Sequence, residues 1–381
     1  MESRVGVPGP VGSRERLGMV FRRRGAGVTA VAAGEWGLDL AMGDERRYWG
    51  GVYAVLGARL PKVARQLEEQ GRYGLFAGQN WGPPWVPLAA AAAVTERVQL
   101  GTSIAIAAAR SPVETAFAAL DLDRLSAGRF TLGLGSSTRW VTRSTFGVDV
   151  DRPVAHLRES VQVIRHVVAN AHTGLIPFSG EFFQIDFQGL DPTPRPARAE
   201  VPIWLGALQG AMTRLAGEVA DGVIGHPLWG VDWWLGPIQE QLAAGAARSG
   251  RDVREVHQCV YLTVATAPDS AEAFADARRF VAAYAAIEQY EAFFAAQGFG
   301  EQAARIRDAY TAGDREGAAR WVDETMARAF VVYGSPDTVR AEVERAWAVG
   351  DSMLIAPPSW GLPVERIGFY TQQIQSVFFA D

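Results

Sequence analysis

From residue 37 onward, the sequence alternates between short runs of strand-forming residues and longer runs rich in Ala, Leu, Arg and Glu. The longer runs repeat their apolar residues with the period of an α-helix. The predicted strands are residues 37–42, 73–77, 98–107, 130–134, 201–207, 222–225, 260–265 and 352–356. Eight strands that alternate with helices around one core are typical of a (β/α)8 TIM barrel, so the predicted fold class is α/β.

An open, doubly wound sheet is the rival architecture, because it also alternates strands with helices. Such a sheet normally has fewer strands and a phosphate-binding glycine loop after its first strand. Residues 43–47 (GDERR), which follow the first predicted strand, do not supply that loop. A barrel with insertions is therefore favoured, and a length of 381 residues fits it.

The chain divides into an N-terminal extension, the barrel and an insertion. Residues 1–36 contain PGP and a basic RRR cluster, and they predict either a disordered extension or an upstream start codon with Met19 as the true start. A twin-arginine export signal remains an alternative, although the apolar run that follows is short. Residues 37–381 predict the barrel, and the helix-rich stretch around 267–333 predicts its largest insertion.

Composition limits the partners that we expect. The net charge of −5 argues against nucleic acid, and no apolar run is long enough to span a membrane. A single cysteine, Cys259, and five histidines without zinc-ligand spacing predict no disulfide and no metal site. We expect a cytoplasmic protein that acts on a small molecule.

In a β/α barrel, the functional site lies at the carboxyl ends of the strands. After the second strand come residues 78–85 (GQNWGPPW), in which Gln79 and Trp81 predict a pocket for a planar ligand. A rigid loop whose tryptophans pack on a neighbouring insertion would have the same composition. The third strand carries hydroxyls at residues 102–103, which suit either a ligand or the barrel interior.

Three later strand ends carry further candidates. Residues 133–140 (GLGSSTRW) combine glycines, hydroxyls and Arg139, a pattern that suits an anion as well as a solvated loop. Residues 206–210 (GALQG) lead into a helix, so they predict either an anion site or a plain tight turn. His226 is a candidate general acid or base, although a lone histidine is more often structural. There is no nucleophile elbow or Walker loop, and hydride transfer to a bound cofactor needs neither.

Several segments carry a family resemblance. Residues 121–137 (DLDRLSAGRFTLGLGSS) resemble the most specific motif of the luciferase-like oxidoreductases. Residues 98–112, 152–168, 178–183, 201–222 and 334–355 are similar to other parts of that family, so the resemblance covers about 37–381.

The resemblance implies a (β/α)8 barrel that binds a reduced flavin or deazaflavin, most closely the branch that uses coenzyme F420. In that branch, a bulge after the third strand carries a cis peptide, and Ser103-Ile104 matches it. The loop near the cofactor's tail matches Gly135, Ser136, Ser137 and Thr138, and the loop beside its ring and phosphate matches Gly206, Ala207, Leu208, Gln209 and Gly210. Gly78 joins them as a cofactor contact, and Gln79, Trp81 and His226 are the predicted catalytic residues.

The sequence departs from the sugar-phosphate dehydrogenases of that branch. Their histidine after the second strand corresponds to a position near Gln79, and their glutamate after the fourth strand to one near Thr138. Their phosphate-binding lysines have no counterpart, because Lys62 is the sole lysine. We therefore expect neither their substrate nor their acid–base pair.

Three functions remain open. The leading hypothesis is an F420-dependent oxidoreductase that moves a hydride to or from an unidentified organic substrate. The alternatives are an FMNH2-dependent monooxygenase that activates O2, and a non-catalytic flavin-binding barrel. Beyond the substrate, the expected partners are a reductase that supplies reduced cofactor and, as one assembly, a second copy in a homodimer.

Overall fold

The computed structural model describes residues 46–79 and 82–379. In this part of the chain, eight parallel strands form a closed barrel: β1 (Tyr48–Gly51), β2 (Gly74–Ala77), β3 (Gln99–Thr102), β4 (Phe130–Gly135), β5 (Ile203–Gly206), β6 (Gly222–Ile224), β7 (His257–Thr266) and β8 (Ser352–Ala356). Each strand pairs with the next, and β8 closes on β1 with Met353 opposite Tyr48. The predicted fold class is confirmed.

The first strand differs from the prediction. Residues 37–42, like the predicted extension 1–36, lie outside the described residues, and the strand that closes the barrel is Tyr48–Gly51. Its sequence, YWGG, is half glycine, a residue that is depleted in strands. A propensity pattern therefore misses it, whereas the other seven predicted strands each overlap an observed one.

Helices follow the strands around the outside of the barrel. They are α1 (Leu60–Glu69), α2 (Trp85–Ala92), α3 (Pro112–Leu125), α4 (Arg139–Phe146), α5 (Pro153–Asn170), α6 (Gly210–Val219), α7 (Gln239–Ser249), α8 (Ser270–Ala285), α9 (Glu291–Ala296), α10 (Gly300–Thr311), α11 (Arg315–Arg320), α12 (Glu324–Phe330), α13 (Pro336–Ala346) and α14 (Val364–Phe378). Ser111 caps α3 by accepting a hydrogen bond from the backbone N–H of Val113, as its sequence indicates. No helix in the described ranges is long and apolar enough to cross a bilayer.

Two segments extend the simple barrel. Between β7 and a short strand at Val332–Gly334, which pairs with the end of β7, the chain forms the five helices α8–α12. Between α5 and β5, strands Phe178–Ser179 and Gln184–Ile185 form an antiparallel hairpin. The buried carboxylate of Glu159 on α5 accepts hydrogen bonds from the backbone N–H groups of the hairpin turn, at residues 181, 182 and 183. This carboxylate fastens the hairpin to α5.

Large aromatic side chains fill the barrel interior opposite glycines. The rings of Trp49 and Phe76 stack with centroids 3.7 Å apart. A Cβ at Gly74 would lie 2.4 Å from the Trp49 ring, and one at Gly101 would lie 2.6 Å from the Phe76 ring. Gly222 stands in the same relation to Trp204, at 2.6 Å. The interior is therefore filled by pairs in which one strand supplies a ring and its neighbour supplies no side chain.

Candidate active site

The barrel interior opens at the carboxyl ends of its strands. In the lower layer, Trp49 and Phe76 are only 2% and 1% exposed. One level higher, the interior-facing residues remain partly exposed to solvent, and they come from both sides of the barrel: Gly78, Ser103, Ile104, Gly206, His226, Tyr261 and Ala356. A solvent-accessible well therefore stands above a closed aromatic floor, where β/α barrels carry their sites.

A bulge after β3 forms one side of the well. The Ser103–Ile104 peptide bond is cis, as the family resemblance implies, and it separates β3 from a short strand at Ala105–Ile106. The backbone N–H of Ser103 donates to the carbonyl of Ala77 at 2.9 Å. The neighbouring Thr102 hydroxyl donates to the carbonyl of Gly133 at 2.7 Å. These bonds tie the bulge to both flanking strands.

Three glycines from three strands surround the bulge. A Cβ at Gly78 would lie 2.9 Å from the carbonyl oxygen of Ser103. Cβ atoms at Gly135 and Gly206 would each lie 2.9 Å from side-chain carbons of Ile104. Such distances leave no room for a side chain, so these positions need glycine. We call the group of Gly78, Ser103, Ile104, Gly135 and Gly206 the glycine seat, and it brings five of the predicted cofactor contacts together.

Gln79 holds the bulge from the side of β2. Its backbone N–H donates to the carbonyl of Ile104 at 3.1 Å. Its side-chain Oε1 accepts from the backbone N–H of Ile106 at 3.0 Å and from Nη1 of Arg110 at 3.3 Å. The amide oxygen is thus engaged in positioning the bulge. Trp81, the second predicted catalytic residue on this loop, lies outside the described residues.

Arg110 is a charged group at the same edge that the sequence analysis did not select. Its Nε lies 3.0 Å from Oε2 of Glu114, and its guanidinium lies 5.3 Å from the ring centre of Trp85. Burial lowers the pKa of Arg110, and Glu114 opposes that change. Its side chain is only 16% exposed. A cation with so little exposure to water needs an ionic or hydrogen-bonding partner, and Glu114 and Gln79 provide both.

The loop after β4 runs along a small cleft. Ser136 and Ser137 line it together with Ala107, Ala108, Arg139, Thr142, Val150, Pro153, His156 and Leu157. Ser137 adopts a left-handed backbone conformation, with φ of 59°. Thr138 caps α4 by accepting from the N–H of Val141, and the Arg139 guanidinium binds Asp149 and Asp151. The serines therefore face open space, whereas Thr138 and Arg139 are engaged within the protein.

The structure places the predicted cofactor contacts of the loop after β5 in different surroundings. Gly206 belongs to the glycine seat, and the carbonyl of Leu208 accepts a hydrogen bond from the indole of Trp229 at 3.0 Å. Ala207 is buried, and Gln209 precedes α6 without a side-chain capping bond. A Cβ at Gly210 would lie 3.1 Å from Oε1 of Gln241 on α7. Gly210 thus lies where α6 packs on α7, and the structure does not bring it to the bulge.

His226 stands in the well beyond β6. Its Nδ1 accepts from the backbone N–H of Leu228 at 3.2 Å, and its Nε2 lies 3.3 Å from the hydroxyl of Tyr290. Burial lowers the pKa of His226 to about 3. The ring is therefore neutral near pH 7, and the bond to Nδ1 assigns its proton to Nε2. This makes His226 a hydrogen-bond donor to Tyr290 and not a cationic general acid.

Aromatic residues from distant segments surround His226. Its ring centre lies 5.8 Å from that of Tyr284 and 5.5 Å from that of Tyr290. Trp360, after β8, stacks on Tyr284 at 4.8 Å. Burial raises the pKa of Tyr284 and raises that of Tyr290 to about 12, and the neighbouring Tyr261 contributes to the shift at Tyr284. We call His226, Tyr261, Tyr284, Tyr290 and Trp360 the aromatic wall.

Comparisons with known proteins identify the family of the chain. The sequence profile of the family described as luciferase-like monooxygenase matches residues 50–352. The chain belongs to this family. An uncharacterised protein of Mycobacterium tuberculosis, Rv1360, is 33% identical over 287 residues, which cover 74% of this chain and 84% of that protein. Another protein of that organism, Rv3520c, is provisionally named a coenzyme F420-dependent oxidoreductase, and it is 31% identical over 83% of this chain and 94% of its own length.

Solved structures of luciferase-like proteins share the fold. The coenzyme F420-dependent tetrahydromethanopterin reductase from Methanopyrus kandleri superposes with a TM-score of 0.68 and 23% identity, over 88% of this chain and 99% of that chain. A monooxygenase from Streptomyces bottropensis superposes with a TM-score of 0.57 and 19% identity, over 87% of this chain and 98% of that chain. Both likenesses concern the fold, and both kinds of oxidoreductase use the same barrel.

Within this luciferase-like barrel, the sequence analysis identified the glycine seat and missed most of the aromatic wall. The seat follows from strand ends and a local motif. Tyr284 and Tyr290 lie in the insertion, and they reach His226 only because the helices there fold back over the barrel. No spacing in the sequence signals that contact.

Proposed function

We propose that this protein is a coenzyme F420-dependent oxidoreductase that transfers a hydride between the deazaflavin and a small organic substrate. The observation that carries the proposal is the glycine seat, where Gly78, Gly135 and Gly206 lie without side chains around a bulge that borders an open well. A planar ring needs such a flat surface. A relative that is 31% identical and named as F420-dependent favours the deazaflavin over FMN.

The surrounding residues fit the rest of such a cofactor. The seat would support the ring, and the loop at Ser136 and Ser137 would face the tail, because both residues line the open cleft after β4. The turn at Ala207–Gln209 would lie beside the phosphate, at the start of α6. When bound, F420 would supply the hydride chemistry, and the protein would supply binding, orientation and exclusion of water.

The aromatic wall supplies the hydrogen-bonding groups of this site. His226 donates from Nε2 to Tyr290, which leaves the Tyr290 hydroxyl proton available to an oxygen in the well. Neither Gln79 nor Thr138 replaces the acid–base pair of the sugar-phosphate dehydrogenases, because both side chains already bond within the protein. We therefore propose a substrate other than a sugar phosphate.

An FMNH2-dependent monooxygenase is the second candidate. The family description and the likeness to a monooxygenase fold support it. That function would need a reductase to supply reduced flavin, and it would need O2 to reach the seat. A non-catalytic flavin-binding barrel is the third candidate, since the expected His and Glu are replaced by Gln79 and a residue near Thr138. The reductase partner, a homodimeric assembly and a cytoplasmic location remain parts of the proposal.

Cofactor titration tests the three functions. The purified chain is titrated with oxidised F420 and with FMN while cofactor and protein fluorescence are followed. We expect saturable F420 binding that is at least about tenfold tighter than FMN binding. Tight FMN binding without F420 binding would establish the second candidate, and binding of both without turnover of any substrate would favour the third.

A pair of glycine variants tests whether F420 binds at the glycine seat. Gly206→Val has no room beside Ile104 and should displace the bulge, so we expect it to weaken F420 binding by about tenfold or more, equivalent to about 1.4 kcal/mol. Gly368→Ala is the matched control, because a Cβ at Gly368 on α14 meets nothing within 4 Å. Equal F420 affinity in both variants would place the cofactor elsewhere.

A further inference from the structure

The aromatic wall combines hydrogen-bond donors with aromatic ring faces. Among the described residues, only burial shifts the pKa values of His226 and Tyr290, and only burial and other tyrosines shift those of Tyr261 and Tyr284. The cation on the opposite side of the well, Arg110, is paired with Glu114. A ligand that touches the wall thus meets hydroxyls, an imidazole and ring faces.

The wall and the glycine seat lie on different strands. The seat uses the ends of β2, β3, β4 and β5, whereas the wall uses β7, the residues after β6 and β8, and the insertion. Tyr53 connects the two, because its ring lies 4.0 Å from the Cβ position of Gly78 and its hydroxyl also raises the pKa of Tyr261. A molecule on the wall would therefore share the well with a ring on the seat.

Exposure shows which parts of the wall are accessible. Trp360 is 48% exposed and Tyr53 is 41% exposed, and His226 and Tyr261 are half-buried, whereas Tyr284 and Tyr290 are buried. The rim is thus apolar and flat, and the interior carries the polar atoms. The wall suits a ligand with an apolar body outside and a single oxygen inside.

We propose that the aromatic wall is the substrate site, and that it selects an uncharged ketone or alcohol with a flat apolar body. The substrate oxygen accepts a hydrogen bond from the Tyr290 hydroxyl, which His226 orients from Nε2. The apolar body lies against Trp360 at the rim. A carboxylate or phosphate is rejected, because it would lose its hydration without gaining a cation. This assignment rests on the proposed function, since it requires the seat for the cofactor.

Three ligands with the same ring test the selectivity. Acetophenone, benzoate and phenyl phosphate are titrated into the full chain by saturation-transfer NMR, with and without oxidised F420, so that no turnover occurs. We expect acetophenone to bind at least about tenfold more tightly than either anion. Equal or tighter binding of benzoate or phenyl phosphate overturns the proposal. Running the series without F420 measures the selectivity of the wall even if the cofactor assignment fails.

Two variants locate the binding. Tyr290→Phe keeps the ring and removes the oxygen, and we expect it to weaken acetophenone binding by about fivefold, as for one lost hydrogen bond. Trp360→Ala removes an exposed rim residue, so folding is not at risk, and it should weaken acetophenone by a similar factor. Tyr310→Phe in the insertion is the control. F420 binding without any acetophenone binding overturns the substrate class alone, whereas a failure of F420 to bind overturns the proposed function.

Discussion

The indole of Trp204 stacks on the imidazole of His257 inside the barrel, with ring centroids 4.3 Å apart and 15° between their planes. His257 also shares the hydroxyl of Ser352 with Trp49: its Nε2 lies 2.8 Å from that oxygen, and the Trp49 indole donates to it at 3.0 Å. The floor of the well therefore connects side chains from four strands, β1, β5, β7 and β8. Its stability depends on the charge of one buried histidine.

Because His257 belongs to this floor, we expect the free energy of unfolding to depend on pH. Burial lowers the pKa of His257 to about 4, and Asp351 only partly opposes that effect. An unfolded histidine takes up a proton near pH 6.5. Between about pH 6.5 and 4 the unfolded chain binds more protons than the folded one, so the free energy of unfolding falls as the pH falls. Burial lowers the pKa of His226 to about 3, which extends the decline.

Thermal melts from pH 8 to pH 4 measure this effect. The melting temperature of the wild-type protein should stay constant above pH 7 and fall progressively below pH 6.5. His257→Gln should flatten part of that slope, whereas His172→Gln, outside the barrel interior, should leave it unchanged. A wild-type melting temperature that rises on acidification would contradict the assignment of a neutral, buried His257.

Gly133 should be the least replaceable glycine of the barrel wall. A Cβ there would lie 1.8 Å from the carbonyl oxygen of Thr102 and 2.7 Å from Ile224. Because the nearest atom is backbone, the strands themselves would have to separate. We expect Gly133→Ala to lower the free energy of unfolding by about 3 kcal/mol or more. Urea denaturation measures it, and Gly368→Ala, in an open helical position, should be neutral or stabilising.

Gln79 should act through the bulge and not as an acid or base. Gln79→Glu retains an oxygen for the N–H of Ile106 and gains attraction to Arg110, so F420 affinity should stay within about threefold of wild type. Gln79→Ala removes both hydrogen bonds and should weaken F420 binding by about tenfold. Fluorescence titration of both variants with F420 measures these affinities. Equal losses in the two would mean that the amide nitrogen, and not Oε1, carries the function.

Glu159 should determine whether the hairpin stays attached. Its carboxylate accepts three backbone N–H groups while only 6% exposed, so Glu159→Gln would turn an amide N–H toward those donors. We expect a loss of about 1–3 kcal/mol and faster proteolysis between residues 174 and 187. Glu301→Gln, on the exposed surface of α10, is the control. Unchanged proteolysis of the Glu159 variant would show that packing alone holds the hairpin.

The features of this protein that local chemistry determines can be predicted from its sequence. The Ser111-Pro112 start of α3 and the hairpin follow from short motifs, whereas the cis bond at Ser103–Ile104 follows only from the family resemblance. The sequence predicts β1 too early, because two of the four residues of the observed strand are glycines, which are depleted in strands.

The candidate site could be predicted only in part for the same reason. Gly78 follows β2 directly, and Gly135 and Gly206 end β4 and β5, so their place at the carboxyl ends of the strands can be predicted. The hydrogen bonds of the Gln79 side chain depend on Ile106 and Arg110, which lie 27 and 31 residues further along the chain. The contact between His226 and Tyr290 joins residues 64 apart in the chain, a distance that neither period nor motif encodes.

Because of the five-helix insertion, the glycine seat and much of the aromatic wall come from different parts of the chain. The glycine seat is made from the ends of β2 to β5, whereas Tyr284 and Tyr290 belong to a segment that follows β7 and returns to pair with it at Val332. That segment can diverge, or be exchanged between relatives as a unit, without altering any atom that surrounds the bulge. On the proposed assignment, new substrate preferences can therefore arise by remodelling one loop while cofactor use is inherited unchanged.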